Sequence, residues 1–192
     1  MVDAVNRAYA HAIGFDDAPF LRRHRGGVLV VGAVHAGARI DGVLATRVRR
    51  DGVNATERLI AALLDCHFYP QLQLVWLQGI ALAGFNVVDI HRLHAATGLP
   101  ILVAARRRPD LEAIRRALLD RVPGGSRKWR LIEAAGPMEA VGGIWLQRAG
   151  LGVEEAAAAV ACWQLNGKLP EPLRTAHLIA GGVTGSRSRQ RA

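Results

Sequence analysis

Residues 72–89 constrain the fold of this chain more than any other segment. An apolar run over residues 72–77 has the composition of a buried strand and ends at Gln78. The loop that follows carries Asn86 and Asp89. In open α/β sheets, ligands and chemistry gather just beyond the carboxyl ends of the strands. The segment therefore predicts an α/β fold with a polar site at this edge of the sheet.

Apolar runs elsewhere predict alternating strands and helices. Three consecutive strands, near residues 12–15, 27–35 and 40–49, have short connections and are predicted to be antiparallel. Two further strands, over residues 72–78 and 100–105, are separated by a helix and are predicted to be parallel. The order β-β-β-α-β-α-β-α-α-β-α-α is that of a ribonuclease-H-like α/β domain. We expect a mixed sheet of five or six strands, three antiparallel and then parallel, with helices on both faces.

Local signals complete the predicted order of elements. Asn54, followed by Glu57 three residues later, is typical of a capped helix start. Residues 140–147 are predicted to form the last strand. A length of 192 residues suits one domain, which we predict over residues 1–183. The Gly, Ser, Arg and Gln residues of 184–192 predict a disordered basic tail.

A formal net charge of +9 favours nucleic acid or another polyanion as the partner. All but two of the 25 basic residues are Arg, whose planar guanidinium binds phosphate in a bidentate manner. A GC-rich genome would also favour Arg over Lys, but it would not explain the surplus of positive charge. Alternation along the third strand exposes Arg47 and Arg49 on one face, where we expect them to contact a nucleic-acid backbone.

The sequence also indicates where the protein resides. Its apolar runs are interrupted before they reach the length of a membrane span, and its start lacks the pattern of a secretory signal. Cys66 and Cys162 lie in apolar helical patterns, which favours small buried side chains in a reducing cytosol over a disulfide. We therefore expect a cytoplasmic protein without a membrane partner, and its oligomeric state is left open.

Acidic residues follow two of the predicted strands. Asp16 and Asp17 end the first strand, and Asp89 follows the fourth. Mg²⁺ prefers carboxylate oxygens, and metal-dependent nucleases gather such oxygens around the scissile phosphate. We predict a Mg²⁺ or Mn²⁺ centre with Asp16 and Asp89 as metal ligands. Asp17 and Asp51 are further catalytic candidates in this acidic cluster.

Each candidate carboxylate also has a structural interpretation, because Asp is common in turns and helix caps. Asp51 is followed by Gly and can belong to an ordinary turn. Asp89 can be the N-cap of a helix near residues 90–97. On the last helix, His177 follows Arg174 at the i, i+3 spacing, which favours a structural hydrogen bond over a catalytic role.

Four motifs resemble the endonuclease dU family: FDD at residues 15–17, DGVNAT at 51–56, GIALAGFNVVD at 79–89 and PEPLRTAHLIA at 170–180. That family is similar to endonuclease V, a repair nuclease that cuts near deaminated bases. The resemblance covers the chain from about residue 12 to residue 180. It implies a ribonuclease-H-like fold and a Mg²⁺-dependent endonuclease that acts on DNA at deaminated or damaged bases.

The resemblance to endonuclease V also implies roles for individual residues. Asp16 matches the first metal-binding aspartate, and Arg106 stands where endonuclease V has a lysine near its active site, so it would steady the scissile phosphate. The second metal aspartate is replaced by Gln78, whose carboxamide binds Mg²⁺ far more weakly than a carboxylate. Asp89 or Asp51 would then supply the missing ligand.

Two other functions fit the same residues. One is a non-catalytic nucleic-acid-binding protein whose metal site is degraded by Gln78. The other is a small-molecule enzyme in which Asn86 and Asp89 bind a nucleotide. Under the leading hypothesis Asn86 contacts the nucleic acid, and DNA is favoured over RNA as the substrate.

Overall fold

The computed structural model describes residues 9–184, so residues 185–192 of the predicted basic tail lie outside the described residues. The strands are β1 (His11–Asp17), β2 (Gly27–Ala36), β3 (Arg39–Arg49), β4 (Leu74–Gln78), β5 (Ala81–Leu82), β6 (Asn86–Val87), β7 (Ile101–Ala105), β8 (Glu139–Val141) and β9 (Ile144–Ala149). The helices are α1 (Ala55–Leu64), α2 (Ile90–Thr97), α3 (Leu111–Arg121), α4 (Gly125–Ala134), α5 (Val153–Trp163) and α6 (Glu171–Val183). Within residues 9–184, no helix has the length and apolar character needed to span a bilayer.

Seven strands of the described part of the chain form the main sheet, in the order β3-β2-β1-β4-β7-β9-β8. Strands β1, β2 and β3 are antiparallel neighbours, and β1, β4 and β7 are parallel neighbours. The predicted ribonuclease-H-like arrangement is therefore confirmed. The sheet exceeds the predicted five or six strands because residues 140–147 lie in two strands, β8 and β9, joined at Gly142 and Gly143. Both glycines have positive φ, 56° and 77°, which suits a two-residue hairpin turn.

Helices cover both faces of the sheet, because side chains alternate between the faces along each strand. On one face, Ile13 and Phe15 of β1 pack with α1 and α2, and we call this the α2 face. On the other, Ala12 of β1 and Trp76 of β4 pack with α5 and with Leu173 of α6, and we call this the α6 face. The position of a residue along a strand thus decides which set of helices its side chain meets.

The starts of α1 and α2 differ in their chemistry. Asp89 is the N-cap of α2, since its side chain accepts a hydrogen bond from the backbone N–H of Arg92 at 3.0 Å. Asn54 precedes α1 as predicted, but its side chain does not cap the helix. Its Oδ1 accepts hydrogen bonds from Arg49 N at 3.0 Å and from Asn86 Nδ2 at 2.8 Å. Asn54 therefore joins the end of β3 to the β6 segment.

Candidate active site

The carboxyl ends of three parallel strands meet at one edge of the sheet. The register places Asp16 one residue beyond the last pair between β1 and β4, and thus beside Gln78. Gln78 in turn pairs with Ala104 of β7, and Arg106 follows the end of that strand. Because neighbouring strands lie about 4.8 Å apart, these side chains share a small area at the end of the sheet.

Asp16 and Gln78 both point to the α6 face, since they lie two residues beyond Gly14 and Trp76 on their strands. Helix α6 lies directly on β1 at Gly14, where a Cβ atom would be 2.4 Å from a backbone carbon of Pro172. Only glycine permits this approach. The close contact brings His177, one and a half turns along the helix, to the buried carboxylate of Asp16.

The pair of Asp16 and His177 is the centre of the candidate site. His177 Nδ1 lies 2.8 Å from Asp16 Oδ2, and Asp16 Oδ1 accepts the backbone N–H of Asp17 at 2.9 Å. The hydrogen bond that His177 donates to Asp16 raises the pKa of His177, while burial and the positive charge of Arg106 oppose the rise. The imidazole side chain is 46% exposed. A solvent-accessible imidazole with a raised pKa is suited to donating a proton to a reacting group.

The sequence did not indicate this role for His177. Its spacing from Arg174 suggested a hydrogen bond within the last helix, but Arg174 is engaged by Glu171, whose carboxylate accepts its Nε at 3.0 Å. His177 instead bonds to Asp16, 161 residues earlier in the chain. No local pattern indicates a partner at that separation.

Asp17 lies next to Asp16 but points to the α2 face. Its Oδ2 accepts the backbone N–H of Ala83 at 2.9 Å, which ties the end of β1 to the loop after β4. Burial raises the pKa of the Asp17 carboxyl to about 6, and the negative charge of Asp16 adds to the rise. Asp17 thus contributes to the shape of this edge and titrates near neutral pH.

Replacing Asp17 by Asn is expected to stabilise the protein at neutral pH. With a pKa raised from 3.8 to about 6, the folded protein binds more protons than the unfolded chain between about pH 4 and 6, so this carboxyl lowers stability as the pH rises through that range. The variant should gain up to about 3 kcal/mol in the free energy of unfolding at about pH 7 and almost nothing at about pH 4. Urea denaturation at both pH values measures the difference, with Asp120→Asn on α3 as the control. An equal gain at both pH values would contradict the raised pKa.

Asp51 supports the loop after β4 and does not join the Asp16 carboxylate. Its Oδ1 accepts the backbone N–H of Phe85 at 2.8 Å, and its Oδ2 lies 3.0 Å from Arg50 Nε. The backbone of Asp51 has φ of 50°. A Cβ atom on Gly84 would lie 2.5 Å from Asp51 Oδ1, so the glycine is required there. Asp51 Oδ1 therefore holds this loop, and Oδ2 is paired with the neighbouring Arg50.

Asn86 lies in the interior of the protein. Its Nδ2 donates to Arg49 O at 2.8 Å, and its Oδ1 accepts Ala55 N at 3.0 Å. The side chain is completely buried. Asn86 therefore links β3 to α1 and is not accessible to a nucleic-acid strand, which is the contact predicted for it.

The structure does not bring Asp89 to Asp16. Asp89 caps α2, which packs on the α2 face, whereas Asp16 points to α6 on the other face. Among residues 9–184, no three His, Cys, Asp or Glu side chains converge as a metal-binding group. The predicted centre built on Asp16 and Asp89 together, with Asp51 near them, is thus not assembled.

The predicted phosphate contacts differ in their distance from Asp16. Arg47 and Arg49 are exposed on β3, the edge strand, two strands away from β1, or roughly 10 Å. Arg106 follows β7 and lies near enough to His177 for its positive charge to act on the pKa of the imidazole. Arg106 is therefore adjacent to the candidate site, and the two β3 arginines form a separate basic surface.

The donor atoms on the α6 face fit one divalent cation better than two. Gln78 Oε1 is buried and has no hydrogen-bond partner in the part of the chain that the structure describes, which is costly unless a ligand satisfies it. The same face carries the Asp16 carboxylate on the neighbouring strand. Mg²⁺ retains several waters and needs only one or two protein carboxylates, so Asp16 and Gln78 can hold a single ion. A second ion would need a further carboxylate close to Asp16, and within residues 9–184 no three His, Cys, Asp or Glu side chains converge.

A cavity of about 220 Å³ opens at the same edge of the sheet. It begins at Gly79, directly after Gln78, and continues past Ala105, directly before Arg106. Its walls are mostly apolar and include Phe85 from the loop that Asp51 holds. Val103 and Ala105 in its wall point to the α2 face, so the cavity is a small apolar recess at the same strand ends as the polar site but on the opposite face of the sheet.

Comparison with known proteins places these features in a family. The family model described as endonuclease dU matches residues 8–184. A UPF0215 protein of Deinococcus radiodurans is 61% identical, and the alignment covers 97% of each chain. The crystal structure of a protein of unknown function from Archaeoglobus fulgidus is 35% identical, with a TM-score of 0.84 over 90% of this chain and 97% of that one.

A more distant likeness concerns the fold alone. Endonuclease V of Ciona intestinalis, solved in complex with DNA that contains an inosine followed by a ribo-adenosine, has a TM-score of 0.57 at 13% identity. The match covers 95% of this chain and 94% of that protein. The two proteins therefore share the same arrangement of strands and helices along nearly their whole length.

Proposed function

The chain belongs to the endonuclease dU family and has the fold of endonuclease V, and on this basis we propose that it is an endonuclease that hydrolyses phosphodiester bonds at Asp16 and His177. One observation carries the proposal. A buried carboxylate is hydrogen-bonded to a solvent-accessible imidazole at the carboxyl end of a parallel strand, where α/β proteins place their chemistry.

The neighbouring residues supply the remaining requirements of phosphodiester hydrolysis. Asp16 and Gln78 would hold one Mg²⁺ or Mn²⁺ ion. A bound divalent cation polarises phosphoryl oxygens and lowers the pKa of coordinated water. His177, held at its Nδ1 by Asp16, would move a proton at its other ring nitrogen. Arg106 would neutralise part of the negative charge of the scissile phosphate.

The proposed substrate is DNA at a deaminated or otherwise damaged base, which assigns the protein to DNA repair. Enzymes that inspect a base bind it outside the stack in a snug pocket with apolar or aromatic walls. The 220 Å³ cavity at the strand end after Gln78 has such walls, and a base that reaches across the edge of the sheet from Asp16 would enter it. The net charge of +9 supports a polyanionic substrate.

Cleavage of defined duplexes tests this function. One strand carries a single uracil or hypoxanthine, and a matched duplex has an ordinary base at that position. We expect cleavage of the modified strand in Mg²⁺ or Mn²⁺, little cleavage of the matched duplex, and none in EDTA. An RNA strand of the same sequence determines whether the enzyme requires DNA.

Other outcomes select the alternatives. Binding that weakens steeply with salt, without cleavage of any substrate, would favour a non-catalytic nucleic-acid-binding protein. Stabilisation by a free nucleotide that does not depend on salt, without affinity for DNA or RNA, would favour a small-molecule enzyme. Either result would contradict the proposed endonuclease activity.

A further inference from the structure

A polar cavity of about 420 Å³ lies beside Arg106. Three parts of the chain line it: the segment after β7, the loop between α5 and α6, and the first turn of α6. We call it the basic pocket and define it by its polar residues, which are Arg106, Arg107, Asn166, Lys168 and Arg174. Four of these five side chains are cationic, so the pocket is suited to an anion.

The acid nearest to the basic pocket is already neutralised. Glu171 is buried, and its carboxylate accepts the Nε and Nη2 of Arg174. Asn166 Nδ2 donates to the same carboxylate at 3.2 Å. These contacts fix Arg174 and Asn166 at the wall, and they lower the pKa of Glu171, chiefly through the hydrogen bond from Arg174. Arg107 and Lys168 add further positive charge to the pocket.

The loop that carries Lys168 is held in place before any ligand binds. Gln164 Nε2 donates to Lys168 O at 2.6 Å and to Gly142 O at 2.8 Å. Leu169 and Pro170, which follow Lys168, are buried. The backbone of Lys168 is thereby attached to the β8–β9 hairpin, and its exposed side chain begins from a fixed position. Preorganised charges bind an anion at a lower entropic cost than mobile ones.

The basic pocket adjoins the candidate active site. Arg106 lines the pocket and also acts electrostatically on His177. Arg174 and His177 are three residues apart on α6, which places them on the same side of the helix. An extended polyanion that passes Asp16 therefore meets the pocket next.

We propose that the basic pocket binds a second phosphate group of the nucleic-acid strand, distinct from the phosphate cleaved at Asp16. This assignment rests on the proposed function for its choice of ligand. Arg107 and Lys168 contact that phosphate directly, and Arg174 completes the wall. The second contact fixes the path of the strand across the carboxyl ends of β4 and β7, and it contributes affinity that does not depend on base sequence.

Binding measured without cleavage tests the basic pocket. The double variant Arg107→Gln with Lys168→Gln removes two charges from exposed side chains. With single-stranded DNA in EDTA, affinity decreases as salt rises. We expect the double variant to make the slope of log affinity against log salt shallower by about 1.4, or about 0.7 per lost contact. This change corresponds to roughly tenfold weaker binding at about 0.15 M salt. The matched control is Arg115→Gln with Arg116→Gln on the exposed side of α3, which should leave the slope unchanged. Equal slopes for the two double variants would overturn the assignment, and so would an absence of binding by the unmodified protein.

Two strands that differ at one end identify the source of the phosphate. If a 5′-phosphate strengthens binding to the unmodified protein and not to the pocket variant, the pocket takes a chain end. If the 5′-phosphate and 5′-hydroxyl strands bind equally, it takes a phosphate within the chain. Both results support the pocket. If the pocket variant shows the expected shallower slope but the unmodified protein cleaves no substrate, the proposed endonuclease is contradicted and the pocket assignment stands.

Discussion

The variant Asp16→Asn is expected to lose strand cleavage by about 10²–10⁴-fold, the range typical of removing acid–base catalysis. The substitution removes the negative charge that would hold a cation, and it also removes the carboxylate that raises the pKa of His177. Cleavage of a uracil- or hypoxanthine-containing duplex measures the first effect. Titration of the imidazole by NMR measures the second, and the pKa of His177 should fall in the variant.

The matched control for this variant is Asp120→Asn. Asp120 is exposed in the last turn of α3, so its replacement should leave both cleavage and the pKa of His177 unchanged. If Asp16→Asn cleaved as fast as the unmodified protein, Asp16 would not take part in the reaction. A lower activity with an unaltered His177 pKa would show that the two residues do not interact.

The variant Gly14→Ala is expected to separate α6 from β1. The added Cβ would lie 2.4–2.6 Å from backbone atoms of Pro172 and Leu173, and these backbone atoms cannot move without shifting the helix. Overpacking of this kind costs about 1–3 kcal/mol in the free energy of unfolding. A helix shift of about 1 Å also displaces His177 from Asp16 and should lower cleavage by about a hundredfold. Urea denaturation and the cleavage assay measure the two effects.

Gly181→Ala, in the same helix, provides the comparison. Apart from the adjoining residues and backbone of its own helix, no atom of the described residues lies within 4 Å of a Cβ placed at Gly181, so the substitution adds no clash. Alanine is favoured over glycine in a helix interior by about 1 kcal/mol, and this variant should be slightly more stable with unchanged cleavage. Equal behaviour of the two alanine variants would contradict the close packing of α6 on β1.

Local signals predicted much of the fold. Asp89 and Gly98 mark the two ends of α2. The side chain of Asp89 caps the start of the helix, and Gly98, with φ of 66°, ends it. Alternation and short connections gave the antiparallel order of β1, β2 and β3. The hairpin at Gly142 was not predicted, since an apolar run interrupted by two glycines also suits one continuous strand. The contact of Asn54 with Asn86 was missed because the two residues are 32 positions apart in the sequence.

The candidate site was only partly predictable, because some of its contacts also join residues that are distant in sequence. Asp16 was identified because it ends a strand, and its place beside Gln78 follows from the order of parallel strands. The separation of Asp16 from Asp89 depends on the path of the loop after β4, which no periodicity describes. His177 meets Asp16 only because Gly14 lets α6 approach β1. That contact is set by tertiary packing.

Anomalous diffraction from crystals soaked in Mn²⁺ tests the central claim most directly, because it locates the cation without reference to any substrate. The claim is that the chemistry lies on the α6 face of the sheet, at Asp16 and Gln78 beside His177. We predict a single peak in contact with the carboxylate of Asp16 and the carboxamide oxygen of Gln78. A peak at Asp89 or Asp51, with none at Asp16, would contradict the claim.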